Sequence, residues 1–346
     1  MKPVLLVGNF FSSSIGTRSY CEELACQMTR SGWPVLTTSY KRGRVSRLFD
    51  MVGTVLRNRE RYSVAQVDVY SGPAFFWAEA VCCALKLVGK PYLLTLHGGN
   101  LPNFARRWPG RVRRLLNSAV IVTAPSGYLL KQMEPYRSGL RLLPNSMDLN
   151  TYTFRLRPKA EPRLLWLRAF HSIYNPGLAP RAIARLRESF PELRLTMIGP
   201  DRQDGSLQST IETAAKEGVS ENILLPGSVA KDQVPGWLNG ADIFLNTTNV
   251  DNTPVSIMEA MASGLCIVST NVGGISYLLE HERDALLVPP DDPEAMAGAV
   301  RRLLTEPELA ARLSNNARRK AEEFDWATVL PKWKELLTAA SKRCAA

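Results

Sequence analysis

The chain is predicted to be an α/β protein made of two Rossmann-like, doubly wound domains. Three observations predict this. Short apolar runs alternate with helix-patterned segments; the alternation breaks at a proline-bearing, charged stretch and then restarts; and 346 residues exceed one ordinary domain of this kind. Strand and helix in alternation imply a parallel sheet covered on both faces. Such sheets bind ligands beyond the carboxyl ends of their strands, so the expected site is a deep cleft between the two domains.

The first strand is Val4–Val7, within MKPVLLVGNFF; one lysine and a very short apolar run ending in glycine read as a strand and not as a secretory signal. A helix follows over Tyr20–Arg30, with Leu24, Ala25 and Met28 at helical spacing. Further strands are expected at 34–37, 65–69, Tyr92–Leu96, 119–123 and 140–143. Pro144 and Asn145 form a turn, and residues 155–162 read as a linker. The second half repeats the pattern with strands at Arg163–Leu167, 193–198, 223–225, 243–245, 265–268 and 285–288. Helices are expected between them at 180–189, 206–217 and 234–239, with another at 293–304. The expected domains are therefore 1–154 and 155–325, with a terminal helical stretch, 326–346, returning to the first domain.

Composition narrows the function. With 45% hydrophobic and 22% charged residues the chain is globular with ample core, and no run of about 18 uncharged apolar residues exists. The nearest candidate, 74–89, carries Glu79 and Lys86. Six cysteines without a CxxC pair, and only three histidines, argue against a structural zinc or disulfide framework and for a reducing cytosol. The glycine loop after the first strand is not GxGxxG, and GxxxxGK[ST] is absent, so nicotinamide dehydrogenases and P-loop kinases lose support.

Charge is unevenly divided. Residues 1–155 hold 21 Lys+Arg against 8 Asp+Glu, whereas the remainder holds 22 against 24. A basic first half implies an anionic partner. Its clusters at 41–47, 57–61 and 106–114 show no nucleic-acid motif, and nucleic acid is not expected as a partner. The run RRWPGRVRR, and Leu48, Phe49, Met51 and Val52 beside the first cluster, suit the anionic inner face of a bilayer instead.

The most informative segment is 242–274, DIFLNTTNVDNTPVSIMEAMASGLCIVSTNVGG, which reads as strand, loop, helix, strand and paired-glycine turn. Thr253 is placed to cap the helix and Pro254 at its first position, where proline is best tolerated. Free N–H groups at Val255 and Ser256 then form an anion site, and Glu259 lies one turn on. One helix thus offers a phosphate its positive end and offers a nearby hydroxyl-bearing group a carboxylate.

These residues resemble the donor-site signature of retaining glycosyltransferase family 4, which has the GT-B fold and uses nucleotide sugars. In that family two acidic residues separated by seven others flank the helix start; here they are Asp251 and Glu259. The resemblance extends over LHGG at 96–99, LPNSMD at 143–148, the Gly199–Pro200 turn, LPGSV at 225–229 and FDW at 324–326. It implies an acceptor-binding first domain and a nucleotide-sugar-binding second domain. It implies that Glu259 holds the ribose hydroxyls and Asp251 the donor sugar, with Asn252, Thr253, Pro254, Val255 and Ser256 against sugar and diphosphate. Gly199 and Val229 join the donor site. Arg168 matches the family's diphosphate-binding arginine, and His97 its histidine near donor sugar and acceptor. Gly16 matches a loop that approaches acceptor and diphosphate, with Arg18 beside it.

Two departures are visible: the family usually has glutamate at the position of Asp251, and Asn175 stands near the place of a lysine, with Arg181 and Arg202 as substitutes. The reading is a retaining, metal-independent hexosyltransferase that needs no cofactor. Its donor is a UDP-hexose and its acceptor a lipid-linked glycan or polysaccharide precursor. It would be cytoplasmic, at the inner face of the membrane. Two alternatives are a nucleotide-sugar epimerase of the same fold and a non-catalytic module binding an anionic ligand. The epimerase needs further acid–base carboxylates, and Glu79 and Asp68 fall in ordinary helix and strand settings.

Overall fold

A computed structural model describes residues 2–10 and 19–342. The chain divides into two compact units, Met1–Met147 with Trp326–Ala346, and Asp148–Asp325.

The first unit is a six-stranded parallel sheet of β1 (Val4–Val7), β2 (Val35–Thr38), β3 (Val64–Val69), β4 (Tyr92–Leu96), β5 (Ile121–Ala124) and β6 (Arg141–Leu142), in the order β2-β1-β3-β4-β5-β6. All six residues of β3 are buried, as expected for a parallel strand covered on both faces. The crossovers are α1 (Tyr20–Arg30), α2 (Arg44–Arg57), α3 (Pro73–Leu87), α4 (Leu101–Arg107), α5 (Pro109–Leu116) and α6 (Gly127–Met133). A capping box starts α1: Glu22 N–H donates to Ser19 Oγ, and Ser19 N–H donates to Glu22 Oε2 at 2.7 Å.

The second unit repeats the design with β7 (Arg163–Leu167), α7 (Leu178–Ala184), β8 (Arg194–Ile198), α8 (Ser206–Lys216), β9 (Ile223–Gly227), α9 (Val234–Gly240) and β10 (Ile243–Asn246). It continues with α10 (Val255–Ala262), β11 (Cys266–Thr270), α11 (Ile275–Leu278), β12 (Leu286–Val288), α12 (Pro293–Thr305) and α13 (Pro307–Ala321). The strand order is β12-β11-β10-β7-β8-β9. α7 is shorter than its expected span of 180–189 because three-residue turns replace helical bonds after Ala184, as in Leu186 N–H to Ile183 O.

The last helix, α14 (Trp326–Lys342), belongs to the first unit, where Trp326, Val329, Trp333, Leu337 and Ala340 join the core with Val4, Leu6, Leu24 and Leu93. Each sheet reverses its winding once, between β1 and β3 and between β7 and β10. Ligand crevices of doubly wound sheets lie at the carboxyl side of these reversals.

At the opposite, amino end of β10 sits Asp242, completely buried. It receives Arg155 Nη2 at 2.7 Å and Arg163 Nη2 at 2.8 Å, with Arg157 Nε at 3.5 Å. Burial pushes the Arg157 guanidinium down to about 10, with Arg155 adding to the fall and Asp242 opposing it. This carboxylate ties the entering segment 155–157 to the sheet and leaves the carboxyl ends free for chemistry.

Candidate functional site

In the second unit the loops after β7 and β10 flank the winding reversal, and they carry the predicted residues. Arg168 directly follows β7, Asp251–Pro254 follow β10, and α10 leads from the loop into Glu259. The Arg168 guanidinium pairs through Nη2 with the Asp251 carboxylate and lies 4.4 Å from the centre of the Tyr174 ring. Burial lowers its pKa, while Tyr174 and Glu259 act in the opposite sense.

Two details of the helix start differ from expectation. Pro254, with φ −69° and ψ 118°, is itself the N-cap residue, and the helix begins at Val255. Thr253 therefore makes no cap; its hydroxyl is buried without a hydrogen-bond partner. The reason is local: Pro254 has an extended ψ of 118°, so it stays outside the helix and the cap position moves one residue past Thr253. The consequence is chemical. Thr253 Oγ1, Ser256 Oγ and Arg168 Nε are all buried polar atoms without partners. They surround a helix start whose first N–H groups, at Val255 and Ser256, have no acceptor within the helix. Buried donors are rarely left unmatched, so the cluster is built for something that completes it.

Glu259 is 8% exposed, and its Oε1 accepts a 2.8 Å hydrogen bond from the Tyr152 hydroxyl. Burial raises the Glu259 pKa, against the lowering effects of Tyr152, Lys231 and Arg168. Tyr152, just after the chain enters this unit, is likewise shifted upward, by burial first and then by Glu259. Sequence reasoning missed this tyrosine, since nothing local connects residues 107 positions apart.

A cavity of about 340 Å³ opens at the carboxyl ends of β7, β8 and β9, lined by Arg168, Tyr174, Gly199, Arg202 and Val229 among others. Gly199 is obligatory there: a Cβ would lie 1.6 Å from the Arg168 carbonyl oxygen, so only glycine lets the two loops meet. A larger cavity of about 530 Å³, with Arg163, Arg194 and Trp237 in its wall, lies at the amino ends of β7 and β8 and contains none of the predicted residues.

The paired glycines after β11 do more than turn the chain. A Cβ on Gly273 would lie 2.2 Å from Asp251 O, and one on Gly274 1.8 Å from Asn252 O. Gly274 N–H donates to Asp251 O at 2.9 Å. The pair is the floor on which the 251–252 loop rests, a role that a sequence motif read only as a turn did not reveal.

Asn175 has φ +44°, a left-handed conformation that asparagine tolerates better than most residues. Its side-chain amide donates to Asp291 Oδ1 at 3.2 Å, and Arg181 pairs with the same carboxylate. Neither Asn175 nor Arg181 lines the 340 Å³ cavity.

In the first unit His97 directly follows β4, 7% exposed, with Nε2 2.9 Å from Asp68 Oδ1 and its ring stacked on Tyr70 at 4.8 Å. Gln66 Nε2 donates to the same Asp68 oxygen at 2.7 Å. Asp68 is thus not in an ordinary strand setting; it is buried and orients the histidine. An acid at the carboxyl end of a strand adjacent to the one bearing His97 is the signal that would have found it. Gly16 and Arg18 lie outside the described residues.

Residues 154–320 match the family model for glycosyl transferases group 1, which covers most of the second unit. A D-inositol 3-phosphate glycosyltransferase of Streptomyces avermitilis is 28% identical over 171 residues, 48% of this chain but only 37% of that protein's length. The enzyme of the same name from Thermobispora bispora is 23% identical over 86% of this chain and 76% of its own. Among solved structures, Anabaena HepE in complex with UDP superposes with a TM-score of 0.76 at 16% identity, covering 98% of this chain and 100% of that one. Sucrose-phosphate synthase from Thermosynechococcus elongatus gives 0.77 at 16% identity, covering 97% and 98%. The fold is GT-B, two Rossmann-like domains, and the similarities support a glycosyltransferase.

Proposed function

We propose that the protein transfers a hexose from a nucleoside diphosphate sugar, a UDP-hexose, to an acceptor hydroxyl with retention of anomeric configuration. The observation that carries this reading is the cluster at the start of α10. Arg168, Thr253 and Ser256 present unmatched buried polar atoms beside the free N–H groups of the helix, with the Glu259 carboxylate one turn away. A diphosphate fits the first group and ribose hydroxyls fit the second. Tyr152 occupies Glu259 Oε1, which leaves Oε2 for the ribose.

In this reading the C1–O bond to the diphosphate breaks as the acceptor oxygen bonds C1 on the same face, and the acceptor proton passes to the leaving phosphate oxygen. Arg168 and the helix start stabilise the charge that builds on the diphosphate, so no metal is invoked. Asp251 is one methylene shorter than the glutamate usual in the resembled family, and it already holds Arg168; donor binding would share that carboxylate between the guanidinium and the sugar hydroxyls. In the first unit His97, oriented by Asp68, is the residue that the resemblance assigns to the sugar or the acceptor.

A membrane-borne acceptor, such as a lipid-linked glycan, is supported by the first unit's surface. Tyr40, Val45 and Phe49 are 61%, 68% and 72% exposed among Lys41, Arg42 and Arg44. Of the apolar group expected there, Met51 instead faces the core. Among the described residues no helix is long and apolar enough to cross a membrane.

The test is a panel of nucleotide sugars with NMR assignment of the product anomer. Retained configuration with UDP-hexose, and loss of transfer in Glu259→Ala, are expected; wild-type turnover in that variant with every donor would refute the site. The Asp68–His97 pair also supplies one acid–base group that an epimerase would need. Solvent-isotope incorporation into the donor without acceptor would favour that reading.

A further inference from the structure

The cavity at the carboxyl ends of β7, β8 and β9 is lined by two cations, Arg168 and Arg202, and their electrostatic situations are opposite. Arg168 is paired with Asp251, so the two together offer little net charge. The Arg202 guanidinium makes no hydrogen bond or ion pair with any described residue. Its neighbour Asp201 is engaged elsewhere, accepting from Gln203 N–H at 2.8 Å.

The backbone beneath Arg202 is nonetheless held. Arg202 N–H donates to Phe170 O at 3.1 Å, Phe170 N–H donates to Pro200 O at 2.8 Å, and Phe170 bridges Asp201 in parallel fashion. Asp204 accepts from Ser172 N–H at 2.8 Å and stitches the same two loops a second time. Gly199, with no side chain, lets the loop after β8 lie directly against the Arg168 carbonyl of the loop after β7, and these hydrogen bonds hold the two together. A long cationic side chain is thus mounted on a fixed base at the rim of the cavity, with its charge uncommitted.

The other nearby cations are differently placed. Arg181 is held by Asp291. Lys231 acts on Glu259, lowering its pKa, and does not line the cavity.

We infer that Arg202 is the binding residue that supplies the uncompensated positive charge to the diphosphate of the nucleotide, in place of a basic residue at position 175. This rests on the nucleotide-sugar reading above. A pyrophosphate carries more than one negative charge, and the neutral Arg168–Asp251 pair cannot balance it; a free guanidinium can, with charge-assisted and bidentate hydrogen bonds.

The test is calorimetric titration of the full chain with UDP, UMP and uridine, in wild type, Arg202→Ala, Arg202→Lys and Arg181→Ala. Arg202→Ala should weaken UDP about tenfold or more, as expected for a lost hydrogen bond to a charged group. It should weaken UMP less and leave uridine unchanged, and Arg202→Lys should recover part of the loss. Arg181→Ala should bind UDP as wild type does. Unchanged UDP binding in Arg202→Ala, or an equal loss for uridine and UDP, would overturn the assignment. If wild-type protein binds none of the three, or if Glu259→Ala leaves UDP and uridine binding intact, the nucleotide-sugar reading itself falls and takes the assignment with it. UDP binding that depends on Glu259 but not on Arg202 rejects the Arg202 assignment alone.

Discussion

Replacing Glu259 by glutamine should abolish nucleotide binding and yet make the ligand-free protein more stable at neutral pH. Glu259 is 8% exposed, and burial raises its pKa despite Tyr152, Lys231 and Arg168. A folded-state pKa above the unfolded value means that this group's favourable contribution is complete only below the ordinary glutamate range. That contribution is lost as pH rises through the raised value. At pH 7 the ionised carboxylate therefore costs stability, on the order of 1.4 kcal/mol for each unit by which its pKa is raised. Glutamine cannot ionise, keeps the shape and still offers a carbonyl oxygen to the Tyr152 hydroxyl. Each kcal/mol of the resulting gain corresponds to roughly 2–4 °C in the melting of a unit of this size. Calorimetric melts of both proteins without ligand, at pH 7 and at about pH 4, provide the check. The gain should shrink toward zero at the lower pH, where both side chains are neutral. A less stable variant at pH 7, or a gain that persists unchanged in acid, would refute the reasoning. The expected pattern is a carboxylate held against its own stability because the ligand needs it.

Three further outcomes are expected. Asp242→Asn should destabilise the second unit by about 3–5 kcal/mol in urea unfolding, because it leaves the fully buried Arg157 without its counter-charge. A loss below about 1 kcal/mol would mean that the buried guanidinium is satisfied by the Ser263 and Ala241 carbonyl oxygens to which it also donates. Gly274→Ala should displace the 251–252 loop, since the new methyl would lie 1.8 Å from Asn252 O. Its stability loss should be about 1–3 kcal/mol. UDP affinity should fall far more than that loss explains, and normal UDP titration would contradict the supporting role of the glycine pair. In liposome flotation the wild type should rise with vesicles containing anionic lipid and less with neutral ones. Phe49→Glu should reduce the anionic signal; equal recovery in all cases would argue against a membrane-facing surface.

The alternation of elements was legible because parallel strands buried on both faces read as continuous apolar runs, and β1, β4 and β7 fall where those runs lie. Arg168 and the 251–259 segment were legible for a related reason: residues adjacent in sequence to strand ends share one rim of the sheet. The cap of α10 lies one residue past the expected Thr253, because residue preferences at a helix start do not fix the ψ of Pro254. Tyr152 on Glu259, Gly273 and Gly274 under Asp251 and Asn252, and Asp68 on His97 were invisible, since each joins separate elements.

The amino-acid order by itself determined the two strand–helix series, the helix start that faces an anion, and the acid pair around it, all of which depend on periodicity and short-range chemistry. Tertiary structure alone decided the states of those groups. It made Arg168 a paired cation and left Arg202 an unpaired one, both on the same cavity wall. It also raised the Glu259 pKa by burying the carboxyl, against the lowering hydrogen bond from Tyr152. The reason is that charge compensation and desolvation depend on what lies within a few ångströms in space, and no spacing along the chain encodes that distance directly.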